Sequence, residues 1–154
     1  MLTREELEEI QSEFPKYATK QAVCLEAMKA VQRHRGWVSD ESLKDIAEVL
    51  EMSVDELDSV ATFYNMIYRK PVGKHVIHVC DSVSCWVMGY DSLYESLSKR
   101  LGVKMGETTP DGKFTLLPVV CLGACDHAPA VMIDRATIGD ISAEKIEEII
   151  SKYT

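Results

Sequence analysis

At 154 residues, 46% of them apolar and 27% charged, the chain has the length of one domain or two small ones, and its composition excludes a disordered protein. Asp and Glu number 25 against 17 Lys and Arg, so the surface repels a phosphate backbone and argues against nucleic acid or an anionic membrane as partner. The opening MLTREELEEI has neither the basic start nor the apolar stretch of a signal peptide, and no run approaches the ~18 apolar residues of a spanning helix, so the expected location is the cytoplasm, without membrane insertion.

Residues 3 to 68 read as helix throughout, with breaks at Pro15, at Gly36 and near Met52. The first segment places Leu7, Ile10 and Phe14 on one face. The second, from about Thr19 to His34, does the same with Val23, Ala27, Ala30 and Val31, flanked by Cys24, Leu25 and Met28. Ser39 or Asp40 is placed to cap a third helix carrying Leu43, Ile46, Ala47 and Leu50. SVDE, Ser53 to Glu56, has the capping-box spacing for a fourth with Leu57, Val60, Ala61 and Tyr64. Four short amphipathic helices joined by tight turns predict a four-helix bundle.

In RKPVGK, residues 69 to 74, proline, glycine and charge coincide with a change from helical to strand-like period, which sets a domain boundary near residue 72: a helical bundle over 1–72 and an α/β domain over 73–154. The second half predicts a strand at 74–80, a helix from about Gly89 to Leu101, and a strand at 113–120 after the PDGK turn. A short strand at 130–134, another near Thr137 and a closing helix from Ser142 as N-cap complete it. The expected fold class is α/β, a sandwich with one exposed face behind a bundle.

Five cysteines is an odd number, and in a reducing compartment thiols serve as ligands or catalysts more readily than as disulfides. Four follow predicted strands as C-x4-C, 35 residues, then C-x3-C: Cys80, Cys85, Cys121 and Cys125. Loops at the same ends of neighbouring strands come together, so this gap in sequence closes in space. Thiolates suit iron-sulfur clusters and structural zinc. Zinc takes its ligands from tight C-x2-C knuckles, whereas the wider spacings here give loops able to wrap a flat cluster. In CLGAC, Gly123 and Ala124 have little or no side chain to shield the backbone N–H groups that a buried anionic cluster needs, and Gly89 is placed to do the same beyond Cys85. The spacing favours iron-sulfur over zinc and disulfide chemistry without excluding either.

The stretches GWVSDESLKDIAEVL, SVDELDSVATFYNMIYRKPVGKHVIHVCDSVSC, GETTPDGKFTLLPVVCLGAC and APAVMID closely resemble the small 2Fe-2S subunit of the NADH-oxidising module of respiratory complex I, the family of the E subunit of bacterial NADH-quinone oxidoreductase and of mitochondrial flavoprotein 2. The resemblance covers nearly the whole chain. It implies a thioredoxin-like 2Fe-2S ferredoxin domain behind the bundle, with the cluster on the residues matching Cys80, Cys85, Cys121 and Cys125. It also implies a flavoprotein partner that holds FMN, NADH and a 4Fe-4S cluster within a larger multi-subunit complex, which would bring the chain to the inner face of the cell membrane. No G-x-G-x-x-G follows any predicted strand, so this chain offers no nucleotide site of its own. Related subunits occur in NAD-linked hydrogenases and formate dehydrogenases, and a zinc-binding scaffold is the non-redox alternative.

The remaining conspicuous residues have plainer readings. Cys24, among Val23, Leu25 and Met28, is a small core residue. His127 could replace a cysteine ligand as in Rieske centres, but with four cysteines available a charge or hydrogen-bond role is expected. His75 and His78 point to opposite faces of one strand. FYNMIY supplies core or a partner-facing patch, and Trp86 either covers the ligands or faces a partner. Glu5 to Glu9 reads as a solvated helix face, and CLGAC lacks the C-x-x-C of a thioredoxin-type redox pair. No residue is expected to do acid-base or nucleophilic work.

Overall fold

The computed structural model describes residues 1–153. The chain divides into two units, Met1–Pro71 and Val72 onward. The first contains helices α1 (Arg4–Glu13), α2 (Cys24–Arg35), α3 (Asp40–Leu50) and α4 (Val54–Phe63). Local chemistry fixes their ends. Thr3 Oγ1 accepts the Glu6 N–H while the Glu6 carboxylate accepts the Thr3 N–H, a complete capping box. Ser53 and Glu56 repeat it at α4, and Ser39 caps α3 by accepting the Ser42 N–H. Gly36 ends α2 in the left-handed region at φ +81°, where a side chain is strained. Three basic residues, Arg33, His34 and Arg35, occupy the last turn of α2, facing the negative end of its dipole.

Helix α2 packs against α1, α3 and α4. The core between them holds Ile10, Met28, Val31, Ile46, Leu50 and Leu57, all fully buried. Each such side chain contributes roughly 1.5–3 kcal/mol relative to exposure. Replacing Ser53 with alanine removes an acceptor from the first turn of α4. It is expected to cost about 1 kcal/mol, read as a fall in melting midpoint of roughly 2–4 °C in a thermal scan.

Three expectations for this unit are corrected. The second helix does not start at Thr19: residues 20–23 form a 3-10 turn with no side-chain cap, and α2 begins at Cys24. Tyr64 is not on the face of α4. It is the extended residue after the helix, half exposed, and Ile67 is buried beyond it. The Glu5–Glu9 stretch is not wholly solvated, because Glu6 is fully buried against Arg35.

The second unit contains strands β1 (His75–Cys80), β2 (Phe114–Val119), β3 (Val131–Ile133) and β4 (Ala136–Ile138). Its helices are α5 (Val83–Val87), α6 (Tyr90–Leu101) and α7 (Lys145–Ser151). The sheet order is β2-β1-β3-β4. β1 and β2 are parallel, with Ile77 opposite Leu116, and the crossover between them carries α5 and α6. β3 runs antiparallel to β1, with Ile77 opposite Ile133, and β4 returns antiparallel to β3. Ile77, Leu116 and Ile133 form a core with Leu93 and Leu97 of α6 and Ile146 and Ile150 of α7.

Val76, His78, Cys80, Thr115 and Val119, on the alternate positions of the same strands, are buried as well. The expected exposed face is therefore absent. HVIHVC is apolar at both odd and even positions, the pattern of a strand buried on both sides. Two further boundaries differ from expectation. Ser142 does not cap α7, which begins at Lys145, and its hydroxyl bonds the Glu144 carboxylate instead. The short helix α5 was not expected at all. Among the described residues, no helix is long and apolar enough to cross a membrane.

Candidate metal centre

The C-terminal ends of the parallel neighbours β1 and β2 lie side by side, with Cys80 opposite Val119. Cys80 is the last residue of β1, and Cys121 follows β2 by two residues. Their loops meet: Cys80, Cys85, Val119, Ala128 and Ala130 make one buried apolar cluster, with Leu122 and Ala124 packed against it. All the cysteines are free thiols.

The four positions are not equivalent. Cys80 and Cys85 are buried, whereas Cys121 and Cys125 are exposed. Cys85 does not lie in a loop as expected; it sits on α5, and Cys125 opens a 3-10 turn, Cys125–His127. Burial pushes the Cys85 thiol up, and the adjoining Cys80 thiol and, more weakly, Cys125 push it the same way. Among the described residues, no three Cys, His, Asp or Glu side chains close on a single point tightly enough to hold one ion.

Backbone donors already reach two of the sulfurs. The Gly123 N–H donates to Cys121 Sγ at 3.3 Å, and Gly123 stands at φ +73°, a conformation that glycine adopts without strain. The Ala130 N–H donates to Cys85, opposing the effect of burial. Ala130 also accepts the Cys80 N–H at 3.1 Å, so one residue ties both buried cysteines to β3. N–H groups aimed at sulfur stabilise a thiolate or a sulfide cluster and tune its potential. A four-thiol set, half sheltered in an apolar cluster and supplied with such donors, fits an iron-sulfur group by the chemistry of its donors.

A profile described as thioredoxin-like 2Fe-2S ferredoxin matches residues 8–154. The chain belongs to this family. Among its relatives is the E subunit of the NADH-quinone oxidoreductase of Pseudomonas aeruginosa, 44% identical over 153 residues, spanning 99% of this chain and 92% of that protein. The same subunit from Escherichia coli strain K12 is 45% identical over 152 residues with the same coverage. Among solved structures, the NAD+-reducing NiFe hydrogenase in its H2-reduced state aligns at TM-score 0.69 and 23% identity, over 82% of this chain and 22% of that one. That likeness concerns the fold.

Other residues singled out in the sequence are distributed as follows. Cys24 lies half-buried against the core of the first unit. His127 is exposed and hydrogen-bonded to Asp140 at 2.7 Å, which raises its pKa. His75 bonds Asp134 at 2.7 Å, and His78 is fully buried, its pKa lowered by burial. Trp86 is 60% exposed; with Val83, Val87 and Met88 it belongs to a group of exposed apolar side chains on and next to α5. Ala130, which accepts the Cys80 N–H, is a residue that the sequence pattern did not single out. Its signal, a small residue after Ala128-Pro129, a cis bond in this structure, becomes meaningful only once β3 is paired with β1.

Proposed function

We propose that this chain is the iron-sulfur electron-transfer subunit of an NADH-oxidising complex, with Cys80, Cys85, Cys121 and Cys125 holding one 2Fe-2S cluster. The observation that carries the reading is near full-length identity of 44–45% to E subunits of NADH-quinone oxidoreductase. When bound, such a cluster takes or returns one electron at a time. This chain's residues supply four sulfur ligands, two backbone N–H donors through Gly123 and Ala130, and a buried apolar seat for Cys80 and Cys85.

The hydride chemistry belongs to a partner: a flavoprotein subunit carrying FMN, the NADH site and a 4Fe-4S cluster. Residues 1–72 act as a four-helix bundle domain and residues 73–154 as the redox domain. The assembly sits in the cytoplasm, at the inner face of the cell membrane through its host complex.

The test uses untagged chain prepared without oxygen. The expected result is about two irons and two acid-labile sulfides per chain, a brown colour that bleaches with dithionite, and a paramagnetic resonance signal after reduction. Zinc in place of iron, with no acid-labile sulfide, overturns the reading in favour of a scaffold. Subunits recovered with the native complex separate the quinone-reducing host from an NAD-linked hydrogenase or formate dehydrogenase.

A further inference from the structure

The turn that carries Cys125 has little to hold it from within. It is a three-residue 3-10 turn, Cys125–His127, whose residues are all exposed, and one isolated turn is unstable on its own. Its orientation has to come from outside. Resting on the assignment of Cys125 as a cluster ligand, we propose that His127 and Asp140 are positioning residues, which clamp this turn to the segment after β4 and so fix the direction in which Cys125 presents its sulfur.

The clamp is made of backbone and side chain together. The His127 N–H donates back to the Ala124 C=O at 3.0 Å, closing the turn. From the other side, the Asp140 N–H donates to the His127 C=O at 2.7 Å, and the Ile141 N–H donates to the Pro129 C=O at 3.3 Å. The side chains add a second link between the same two residues, His127 Nδ1 to Asp140 Oδ2 at 2.7 Å. An ionised carboxylate only accepts, so Nδ1 carries the proton. The other ring nitrogen, Nε2, lies 3.5 Å from Asp126 Oδ2.

Two features show that the approach is close. A Cβ on Gly139 would fall 2.4 Å from His127 Cβ, so the segment passes where no side chain fits. Asp140 itself takes φ +52°, in the left-handed region that Asp and Asn tolerate better than most residues. On the far side Lys145 Nζ donates to the Asp140 C=O at 3.1 Å. The carboxylate is thus brought to His127 by a backbone that is held on both sides.

The experiment uses the full chain, cluster-loaded, as wild type and as His127→Ala, Asp140→Ala, the double variant and Asp140→Asn. It reads the rate of bleaching by an iron chelator, the resonance lineshape of the reduced cluster and the melting midpoint. Each alanine variant is expected to bleach faster, up to about five-fold, the ceiling set by an exposed pair, and to broaden the lineshape. The double variant is expected to be no worse than either single, because both remove one link. Asp140→Asn keeps an oxygen acceptor and the left-handed tolerance, and should restore both signals.

Wild-type bleaching and lineshape in the alanine variants overturn the proposal, as does a lowered melting midpoint with unchanged cluster signals, or failure of Asp140→Asn to restore them. If the wild-type chain itself takes up no cluster, the ligand assignment has failed first, and this proposal falls with it.

Discussion

Replacing Cys80 or Cys85 with serine is expected to abolish the visible absorption and the reduced-state resonance signal, while Cys24→Ser leaves both at wild-type level. The difference lies in how firmly each sulfur is placed. Cys80 closes the central strand, its N–H bonded to the Ala130 C=O and its backbone paired with β2, so residue 80 has no freedom to bring a shorter, harder oxygen ligand to the metal. Cys85 is buried in the same apolar cluster, where an unliganded hydroxyl finds little compensation. Changes in groups that merely support a metal's ligands cost ~10- to 100-fold in affinity, and loss of a ligand is expected to exceed that. Cys121 and Cys125, exposed and in loops, should tolerate serine better and keep a fraction of the cluster with an altered spectrum. Iron and acid-labile sulfide per chain measure the outcome. Full stoichiometry in Cys80→Ser, or a loss in Cys24→Ser equal to that in Cys80→Ser, would remove the ligand assignment.

What the sequence revealed and what it hid follow from the range of the interactions involved. The Ser53–Glu56 box, the stop at Gly36 and the extent of β1 are decided within a few residues, and the structure has them where the pattern puts them. The strand ends that carry Cys80 and precede Cys121 were legible for the same reason. Helix α5 escaped because five residues, VSCWV, show no period and have no side-chain cap. Ser142 looked like an N-cap by residue type, but its hydroxyl found the Glu144 carboxylate instead. The Ala130 N–H on Cys85 and the Asp140 carboxylate on His127 depend on chain segments brought together by sheet pairing, so no window along the sequence contains them. Glu6 is the clearest case. Its neighbours Glu5, Glu8 and Glu9 disguise it as one of a solvated row, and its partner is 29 residues away.

That partner makes Arg35→Met the substitution with the largest expected effect on stability, about 3–5 kcal/mol, because it leaves a buried carboxylate without its counter-charge. Arg35 Nε and Nη2 donate to the two oxygens of Glu6, each at 2.6 Å, and Nη1 donates to Ser42 Oγ at 3.0 Å. Arg35 is 30% exposed and can rehydrate, so Glu6→Leu should cost less than Arg35→Met. The double variant Glu6→Leu/Arg35→Met removes both charges and should recover most of the loss. Acid sharpens the test. The Arg35 hydrogen bonds hold the Glu6 carboxyl below its ordinary value of 4.5 against the opposing effect of burial. In the wild type the folded state therefore binds fewer protons than the unfolded one below that value. The stability is fully present above about pH 4.5 and is lost as pH falls through the folded pKa. In Arg35→Met burial is opposed only by the Thr3 hydrogen bonds, so the Glu6 carboxyl pKa rises relative to wild type and the deficit relative to wild type shrinks on acidification. Urea midpoints at neutral pH and at about pH 4 measure the gap. A gap that does not narrow on acidification, or a double variant as unstable as Arg35→Met alone, would show that the pair does not hold α1 to α2 in the way its geometry indicates.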